Sequence, residues 1–267
     1  MNDERFILFD GTPIEKDRAQ ERLEGRSCLY QRIRTEGHRP LFLRNHTEIL
    51  RRTCESLTGR DLRLDPTEIE QNIRCFLAAN RFPERSIEVT LELYPNDTSH
   101  IVLRAPRILL YETYDVTSLR PDSRTVVYEW PLGLCHTDAS RAAHRLAQIH
   151  AGEATAVRKT QNGALLSVGD DPIFAIRGRT IVTPPTESGA ADSVERQLLA
   201  AAAKKANLPL LEADILQSEL SVYDELFFVD TRGITSFASC DGFHFMSLLV
   251  RRLADAMAAI AHSGALQ

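Results

Sequence analysis

Lysine is scarce in this chain of 267 residues. Only four lysines are present, against 28 arginines. They are Lys16, Lys159, Lys204 and Lys205. Arginine and lysine differ in hydrogen-bonding geometry, but genome composition can produce the same bias. The sequence therefore has guanidinium groups at most of its basic positions and a primary amine at very few.

Signals of several special protein classes are also missing. No apolar run reaches the roughly 20 residues of a membrane-spanning helix. The start MNDERFILFDG has early acidic residues and a short apolar run, unlike a signal peptide. The net charge of −5 gives no basic surface for nucleic acid or an anionic membrane. We therefore expect no nucleic-acid and no membrane partner.

The cysteines and histidines show no metal-binding or disulfide pattern. The five cysteines are scattered and contain no CxxC pair, which indicates reduced thiols in a cytoplasmic protein. His144 and His150 lie six apart on a predicted helix, whereas a metal-binding pair on one helix needs a spacing of three or four. We therefore expect no metal site.

The chain is long enough for two domains, with 43% hydrophobic and 26% charged residues. We predict domains 1–125 and 126–267. In the first, apolar and polar residues alternate over 87–93, which predicts a strand that turns back into 100–103. Further strands are predicted over 5–9, 27–34 and 107–114. The first domain thus has a strand-rich core with helices.

Two helix starts are marked in the first domain. Asp65 followed by Pro66 is typical of an N-cap and a first helical residue. Asn45, with Glu48 three residues later, predicts a capping box and a helix to about residue 57. Both segments therefore begin a helix in this interpretation.

The second domain alternates helices and strands. Helices are predicted over 139–150, from Asp192 or Ser193 to about 206, and over 243–262, the last with an apolar stripe that starts at Met246. Strands are predicted over 155–159, 164–167, 172–176 and 180–183. Closely alternating elements of both kinds indicate an α/β class.

Several stretches share their order and spacing with a known family. They include Asn162-Gly163, Ile173 to Ile176, Ile181 to Pro185, Asp224 to Phe228 and the Asp241-Gly242 turn. Nearer the N-terminus, Tyr30 begins a strand that leads to His46. On these residues the chain resembles the class IV aminotransferases. They are fold type IV pyridoxal phosphate enzymes and include D-amino acid and branched-chain aminotransferases and aminodeoxychorismate lyase.

The resemblance implies a fold, an assembly and a class of substrate. The fold is α/β (α+β), with two domains as in D-amino acid aminotransferase and the active site in the cleft between them. The assembly usual in this family is a homodimer. The substrate is a small-molecule carboxylate, either chorismate-like or amino-acid-like.

The residues that hold the coenzyme in this family are replaced at four positions. The lysine position falls on His136 or, one residue earlier, on Cys135, and imidazole cannot form the internal aldimine. Ile49 replaces the phosphate-binding arginine, and Ser167 replaces the carboxylate beside the pyridine nitrogen. A phosphate cup of Gly-Ile-Thr becomes a segment ending in Glu195. We therefore expect no cofactor, with pyridoxal phosphate as the alternative.

The catalytic candidates are His136, Cys135 and Tyr30. A histidine can act as a general acid or base near neutral pH, and a cysteine can be a nucleophile if its pKa is lowered. Neighbours on a strand point to opposite faces, so only one of residues 135 and 136 would enter the site. The alternatives are a side chain that fills the space of the lysine and an ordinary strand aromatic.

The candidates for substrate binding are charged or hydroxyl side chains. Arg32 shares a strand face with Tyr30, and Thr231 and Arg232 follow a predicted strand where the family binds phosphate and substrate. Ser167 and Glu195 complete the set. A solvated sheet face and an ordinary loop are the competing interpretations.

These features lead to three hypotheses, and whether the chain is an enzyme stays open. The first is a class IV aminotransferase-like protein that has lost pyridoxal phosphate and binds or transforms a small organic acid, as a lyase or isomerase if it is catalytic. The second is an active pyridoxal phosphate-dependent aminotransferase or aminodeoxychorismate lyase with a displaced lysine. The third is a non-catalytic scaffold or a heterodimer subunit.

Overall fold

A computed structural model describes residues 4–95, 99–109, 111–264 and 266. The chain divides into two compact units. Unit 1 comprises Met1–Thr113 with His136–Asp138, and unit 2 comprises Tyr114–Cys135 with Ala139–Gln267. The boundary predicted after residue 125 falls within a strand of unit 2.

Unit 1 is an antiparallel sheet with helices. Its elements are β1 Phe6–Phe9, β2 Thr12–Glu15, α1 Lys16–Leu23, β3 Leu29–Glu36, β4 Arg39–Pro40, α2 Leu43–Thr58, α3 Pro66–Ala79, β5 Ile87–Tyr94 and β6 His100–Ile108. The strand order is β2-β1-β6-β5-β3-β4. The predicted pairing of 87–93 with 100–103 is confirmed by β5 and β6. Part of the turn predicted between them lies outside the described residues.

The core of unit 1 forms where α2 and α3 pack on the sheet. Leu50 of α2, Ile73 and Phe76 of α3, and Val89 and Leu91 of β5 are all buried in one apolar cluster. Side chains two residues apart share a face of a strand, so the alternation over 87–93 places one set of apolar residues against the helices. Helix α2 therefore lies over the strand that carries Tyr30.

The two predicted helix starts have different outcomes. The Asp65 cap is confirmed, because its side chain accepts a hydrogen bond from the backbone N–H of Thr67 and α3 begins at Pro66. The predicted cap at Asn45 is wrong. Helix α2 already begins at Leu43, after Phe42 in a left-handed conformation, and burial of the Leu43 side chain stabilises that earlier start.

Unit 2 is built on a mixed sheet. Its strands are β7 Asp115–Val116, β8 Asp122–Val127, β9 Thr155–Lys159, β10 Ala164–Val168, β11 Asp171–Arg177, β12 Thr180–Thr183, β13 Leu210–Glu212, β14 Ile215–Leu216, β15 Glu225–Asp230, β16 Gly233–Ser236, β17 Ser239–Cys240 and β18 Phe243–His244. Its helices are α4 Asp138–Ala151, α5 Val194–Lys205 and α6 Val250–Ser263.

The main path of this sheet runs β18-β17-β8-β9-β10-β11-β15-β16-β7. Strand β12 pairs with β11, β13 with β12, and β14 with β10. The predicted strands over 155–183 are confirmed in order and position. The central strands β10 and β15 are buried along their whole length, which positions any polar side chain on them away from bulk water.

Two further sequence predictions are wrong in detail. The last helix begins at Val250 and not near 243, because the carboxylate of Glu225 accepts the backbone N–H groups of Leu249 and Val250 and fixes the start there. Met246 lies outside the helix and is 49% exposed. The segment before α4 is not a strand, since Leu132 and His136 have positive φ values of 59° and 55°.

No helix in the described part of the chain is both long and apolar enough to cross a bilayer.

Candidate functional site

Tyr30 and His136 lie together in unit 1. The backbone N–H of Tyr30 donates to the carbonyl of His136 at 2.8 Å. Their rings meet edge to face, with centroids 5.9 Å apart. Both side chains are buried, at 2% and 4% exposure. Two of the predicted catalytic residues are therefore neighbours.

The position of His136 is fixed by its backbone. Thr137 forms an antiparallel bridge with Leu29, and the N–H of Asp138 donates to the carbonyl of Cys28 at 3.1 Å. These contacts attach the segment to β3. The left-handed conformation of His136, uncommon for a residue with a side chain, turns the chain between the two contacts.

His46 is a third member of this group, in the first turn of α2. Its Nδ1 lies 3.0 Å from Oε1 of Gln31. Burial lowers the pKa of His46 to about 3, and the positive charges of His136 and Arg32 lower it further in the same direction. The ring is therefore neutral at physiological pH. With Nδ1 donating to Gln31, the proton sits on Nδ1 and Nε2 is left as an acceptor.

Gln31 has one amide atom without a hydrogen bond. Its side chain is 2% exposed, and its Nε2 is buried with no partner among the described residues. A buried donor without an acceptor is unfavourable and is uncommon in native proteins. The Gln31 amide is thus an unsatisfied donor on the side of β3 that faces α2.

We call Tyr30, Gln31, Arg32, His46 and His136 the unit 1 cluster. It combines a phenol, an orphan amide donor, a guanidinium that lowers the pKa of a neighbouring imidazole, and two imidazoles. Tyr30 and Arg32 share one face of β3 and Gln31 lies on the other, so Arg32 can orient a carboxylate and the Tyr30–His136 pair can exchange protons with a bound molecule.

Cys135 belongs to unit 2 and not to unit 1. Its Sγ is 4.0 Å from the carbonyl oxygen of Asp192. Burial, and next the charge of Asp170, raise the pKa of the Cys135 thiol to about 12. A protonated thiol is a poor nucleophile, which favours His136 of the two alternatives for proton transfer.

Ser167 is fully buried on β10 and faces an arginine. Its Oγ accepts a hydrogen bond from Nε of Arg158 at 3.0 Å. The guanidinium of Arg158 also donates to the carbonyl of Gly189 and stacks on the ring of Trp130. The predicted substrate-binding serine is thus a partner of a buried cation.

Glu195 lies in the first turn of α5, next to the helix cap. The Oγ of Ser193 accepts the N–H of Arg196 at 3.2 Å, which confirms Ser193 as the N-cap. The guanidinium of Arg196 binds Thr183 at 2.8 Å and Glu212 at 2.9 Å. Glu195 itself is buried at this end of the helix.

Thr231 and Arg232 occupy the turn between β15 and β16. The guanidinium of Arg232 binds the buried carboxylate of Asp230 through Nε at 2.7 Å, and the backbone N–H of Arg232 binds the same side chain at 2.8 Å. Thr231 is buried. The charge of Arg232 is therefore balanced within the turn.

Three residues of interest are missed by the sequence-based choice of site residues. His46 enters there only as part of the resemblance, and Gln31 carries no signal. Arg158 follows Ala156 and Val157 in a predicted buried strand, and a charged residue at such a position is a usable signal.

Comparison with known proteins places the chain in a family. The family model for amino-transferase class IV matches residues 29–240, most of the chain. The chain therefore belongs to the class IV aminotransferases, and the family named from the sequence is confirmed. No curated protein matches it.

Solved structures confirm the fold. The branched-chain amino acid aminotransferase of Thermobaculum terrenum in its PLP form has a TM-score of 0.80 and 17% identity, covering 99% of this chain and 96% of that one. The branched-chain aminotransferase of Thermoproteus uzoniensis with norvaline has a TM-score of 0.78 and 20% identity, covering 97% of this chain and 95% of that one. The branched-chain amino acid aminotransferase of Escherichia coli has a TM-score of 0.78 and 16% identity, covering 99% of this chain and 95% of that one. At such identities the likeness establishes the fold alone.

The expectation of no cofactor is contradicted. The Thermobaculum terrenum structure is in its PLP form, and a further similar branched-chain enzyme is complexed with N-(5'-phosphopyridoxyl)-L-glutamate. Pyridoxal phosphate is therefore the group that this family implies. Four replaced contacts did not justify excluding it, because contacts inferred from aligned positions do not cover every way of holding a ligand.

The side chains at those aligned positions do not fit a coenzyme linked as a Schiff base. Position 136 carries an imidazole and not an amine, and Ile49 is buried in α2. The guanidinium of Arg158 beside Ser167 would repel a protonated pyridine nitrogen. No step through pyridoxal phosphate follows from these residues.

The four lysines lie elsewhere. Lys159, at the end of β9, donates to the side chain of Gln217. Lys16 lies 3.5 Å from a carboxylate oxygen of Glu4, and Lys204 and Lys205 are exposed at the end of α5.

Proposed function

We propose that this class IV family member binds a small organic acid at the unit 1 cluster and transfers a proton to or from it. The observation that carries the proposal is the edge-to-face contact of the buried Tyr30 and His136 rings, with Arg32 on the same face of β3 as Tyr30. The proposal concerns the ligand and the reaction, which the family likeness leaves open.

Charge supports a carboxylate ligand. The guanidinium of Arg32 is close enough to His46 to lower the pKa of that ring. A guanidinium recognises a carboxylate through two parallel hydrogen bonds. The ligand we propose is chorismate-like or amino-acid-like, with at least one carboxylate.

Proton transfer is assigned to His136 and Tyr30. An imidazole has one nitrogen that donates and one that accepts, so His136 can pass a proton to or from a bound molecule. The Tyr30 ring meets His136 edge to face and confines it. His46 stays uncharged down to low pH, so it contributes an acceptor at Nε2 and no charge. The reaction classes that need only these groups are elimination and isomerisation. We further propose that the protein acts as a homodimer in the cytoplasm.

The test is calorimetric titration of the full chain with chorismate and with a series of amino acids, followed by assays of turnover. We expect one of these acids to bind, Arg32→Met to weaken that binding about tenfold, and His136→Asn to keep binding while losing turnover. His150→Asn, on the exposed side of α4, is the matched control and should change neither property.

Other outcomes would replace the proposal. Absence of both binding and turnover with every acid would contradict it. An absorbance band near the visible edge after addition of pyridoxal phosphate, abolished by borohydride, would show a Schiff base and favour the coenzyme-dependent alternative. Co-purification with an active family member, without turnover alone, would favour a heterodimer subunit.

A further inference from the structure

Unit 2 buries a positive charge in the middle of its sheet. Arg158 lies on β9, between the buried Val157 and the hairpin to β10, and its side chain is 2% exposed. Arginine is among the residues least often buried without an ionic partner, because removing its charge from water is strongly unfavourable. The partners of this side chain therefore need to be identified.

The described hydrogen-bond acceptors of the guanidinium are electrically neutral. Nε donates to Ser167 Oγ at 3.0 Å, and Nη2 donates to the carbonyl of Gly189. Within the described ranges, no carboxylate forms an ion pair with it and Nη1 donates to no acceptor. Burial lowers the pKa of Arg158 to about 10, so the group is still charged at neutral pH.

A second donor without an acceptor lies against the first. The guanidinium carbon of Arg158 is 3.4 Å from the centroid of the Trp130 ring, so the two planar groups stack. The indole Nε1 of Trp130 is buried and has no hydrogen-bond partner in the described part of the chain. An indole nitrogen only donates, so it cannot be satisfied by Arg158.

We propose that Arg158 and Trp130 form a binding site for a small carboxylate of single negative charge. The carboxylate would accept hydrogen bonds from Nη1 of Arg158 and from Nε1 of Trp130 and would balance the buried charge. A planar carboxylate matches the planar guanidinium, and a charge-assisted bond is stronger than a neutral one.

The surrounding charges favour a monoanion over a dianion. Glu129 and Asp170 are near enough to raise the pKa of Arg158, against the larger effect of burial. One guanidinium therefore already shares its field with two acidic groups. A second negative charge on the ligand would be repelled by both, which disfavours phosphate at alkaline pH.

The proposed site uses residues of unit 2 only. It does not depend on Tyr30, His136 or the rest of the unit 1 cluster. Failure of the organic-acid proposal for unit 1 would leave this inference in place, and the reverse also holds. Two variants, Arg158→Met and Trp130→Phe, remove the guanidinium and the indole N–H respectively and keep most of the side-chain volume.

The chain has a single tryptophan, so its fluorescence reports on this site directly. Sodium acetate is titrated into the full chain at neutral pH, with sodium chloride replaced so that ionic strength stays constant. We expect a saturable change in Trp130 emission and a rise in the unfolding temperature with acetate, and no saturation with chloride alone.

The variants assign the effect. Arg158→Met should weaken acetate binding at least tenfold by fluorescence, and Trp130→Phe should weaken it about threefold to tenfold by thermal shift. Arg177→Met, at the exposed end of β11, is the matched control and should bind acetate like the unaltered chain. Phosphate at mildly alkaline pH should bind more weakly than acetate.

Two results would overturn the proposal. One is an emission and an unfolding temperature that respond to acetate no more than to chloride. The other is acetate binding that survives both variants unchanged. If Arg158→Met does not fold, Trp130→Phe alone decides the outcome, because an indole-to-phenyl change leaves the guanidinium in place.

Discussion

Unit 1 and unit 2 each bury a basic side chain, and the two basic groups have different charges at neutral pH. His46 of unit 1 is neutral, because burial and two nearby positive charges lower its pKa to about 3. Arg158 of unit 2 has its pKa lowered by burial to about 10 and is charged at neutral pH. Desolvation acts on both, but the pKa of a guanidinium starts far above that of an imidazole and stays above neutrality.

The difference has consequences for binding. A neutral imidazole beside a carboxamide needs no counterion and offers a lone pair, which suits proton exchange. A guanidinium whose hydrogen-bond acceptors are neutral can still donate to an anion, which suits anion binding. The two units thus present different chemistry although each has a mostly apolar core.

The largest expected loss of stability comes from removing a neutral acceptor of the buried Arg158 in unit 2. Ser167→Val removes the acceptor of Arg158 Nε and leaves a buried charged donor unsatisfied, which should cost about 3 kcal/mol in the free energy of unfolding. The measurement is urea unfolding at neutral pH.

The matched control is the double variant with Arg158→Met. Because the charge and its acceptor then leave together, we expect the double variant to be more stable than Ser167→Val alone by about 2 kcal/mol. Additive losses from the two substitutions would show that the buried charge is not the cause.

A smaller effect is expected in unit 1, where the buried His46 should make the free energy of unfolding depend on pH. The folded-state pKa of His46 is lowered, so its contribution to stability is present above about pH 6.5 and is lost as pH falls towards 3. Between about pH 7.5 and about pH 5 this histidine should reduce the free energy of unfolding by about 2 kcal/mol. Urea unfolding of His46→Asn, which keeps a donor for Gln31, should lack this part of the decline, whereas His150→Asn should retain it.

The smallest expected effect concerns helix N-caps, of which one in each unit is compared. Ser193 caps α5 of unit 2 and is buried, while Asp65 caps α3 of unit 1 and is exposed. Each substitution by alanine should cost about 1 kcal/mol, with the larger loss for Ser193, because its orphan N–H has no access to water. Thermal unfolding of the two variants beside Thr67→Ala tests this; a greater loss for Asp65 would contradict it.

Much of the fold follows from local patterns. The Asp65 cap and the strands over 155–183 depend on neighbours in the chain and are predicted correctly, and the structure selects Ser193 from the predicted pair Asp192 or Ser193. The starts of α2 and α6 are not, because burial of Leu43 and the distant carboxylate of Glu225 determine them. Contacts between residues far apart in sequence leave no local pattern.

The candidate site is less accessible from the sequence. The sequence analysis selects both Tyr30 and His136 as catalytic candidates but does not predict that their rings touch. The hydrogen bond between Gln31 and His46 forms only because α2 packs on β3. The Arg158–Trp130 stack joins two residues across 28 positions (158 − 130), so no motif encodes it. Ligand identity depends on such assembled surfaces.

The contrast between a neutral buried base and a buried charge can be measured in one sample. Nitrogen-15 NMR of the side chains reports imidazole tautomers and guanidinium protonation as pH is varied. We predict that the His46 ring nitrogens keep the shifts of a neutral, Nδ1-protonated imidazole from about pH 8 down to about pH 4.5, while Arg158 stays protonated throughout. A His46 titration near pH 6.5 would contradict this explanation.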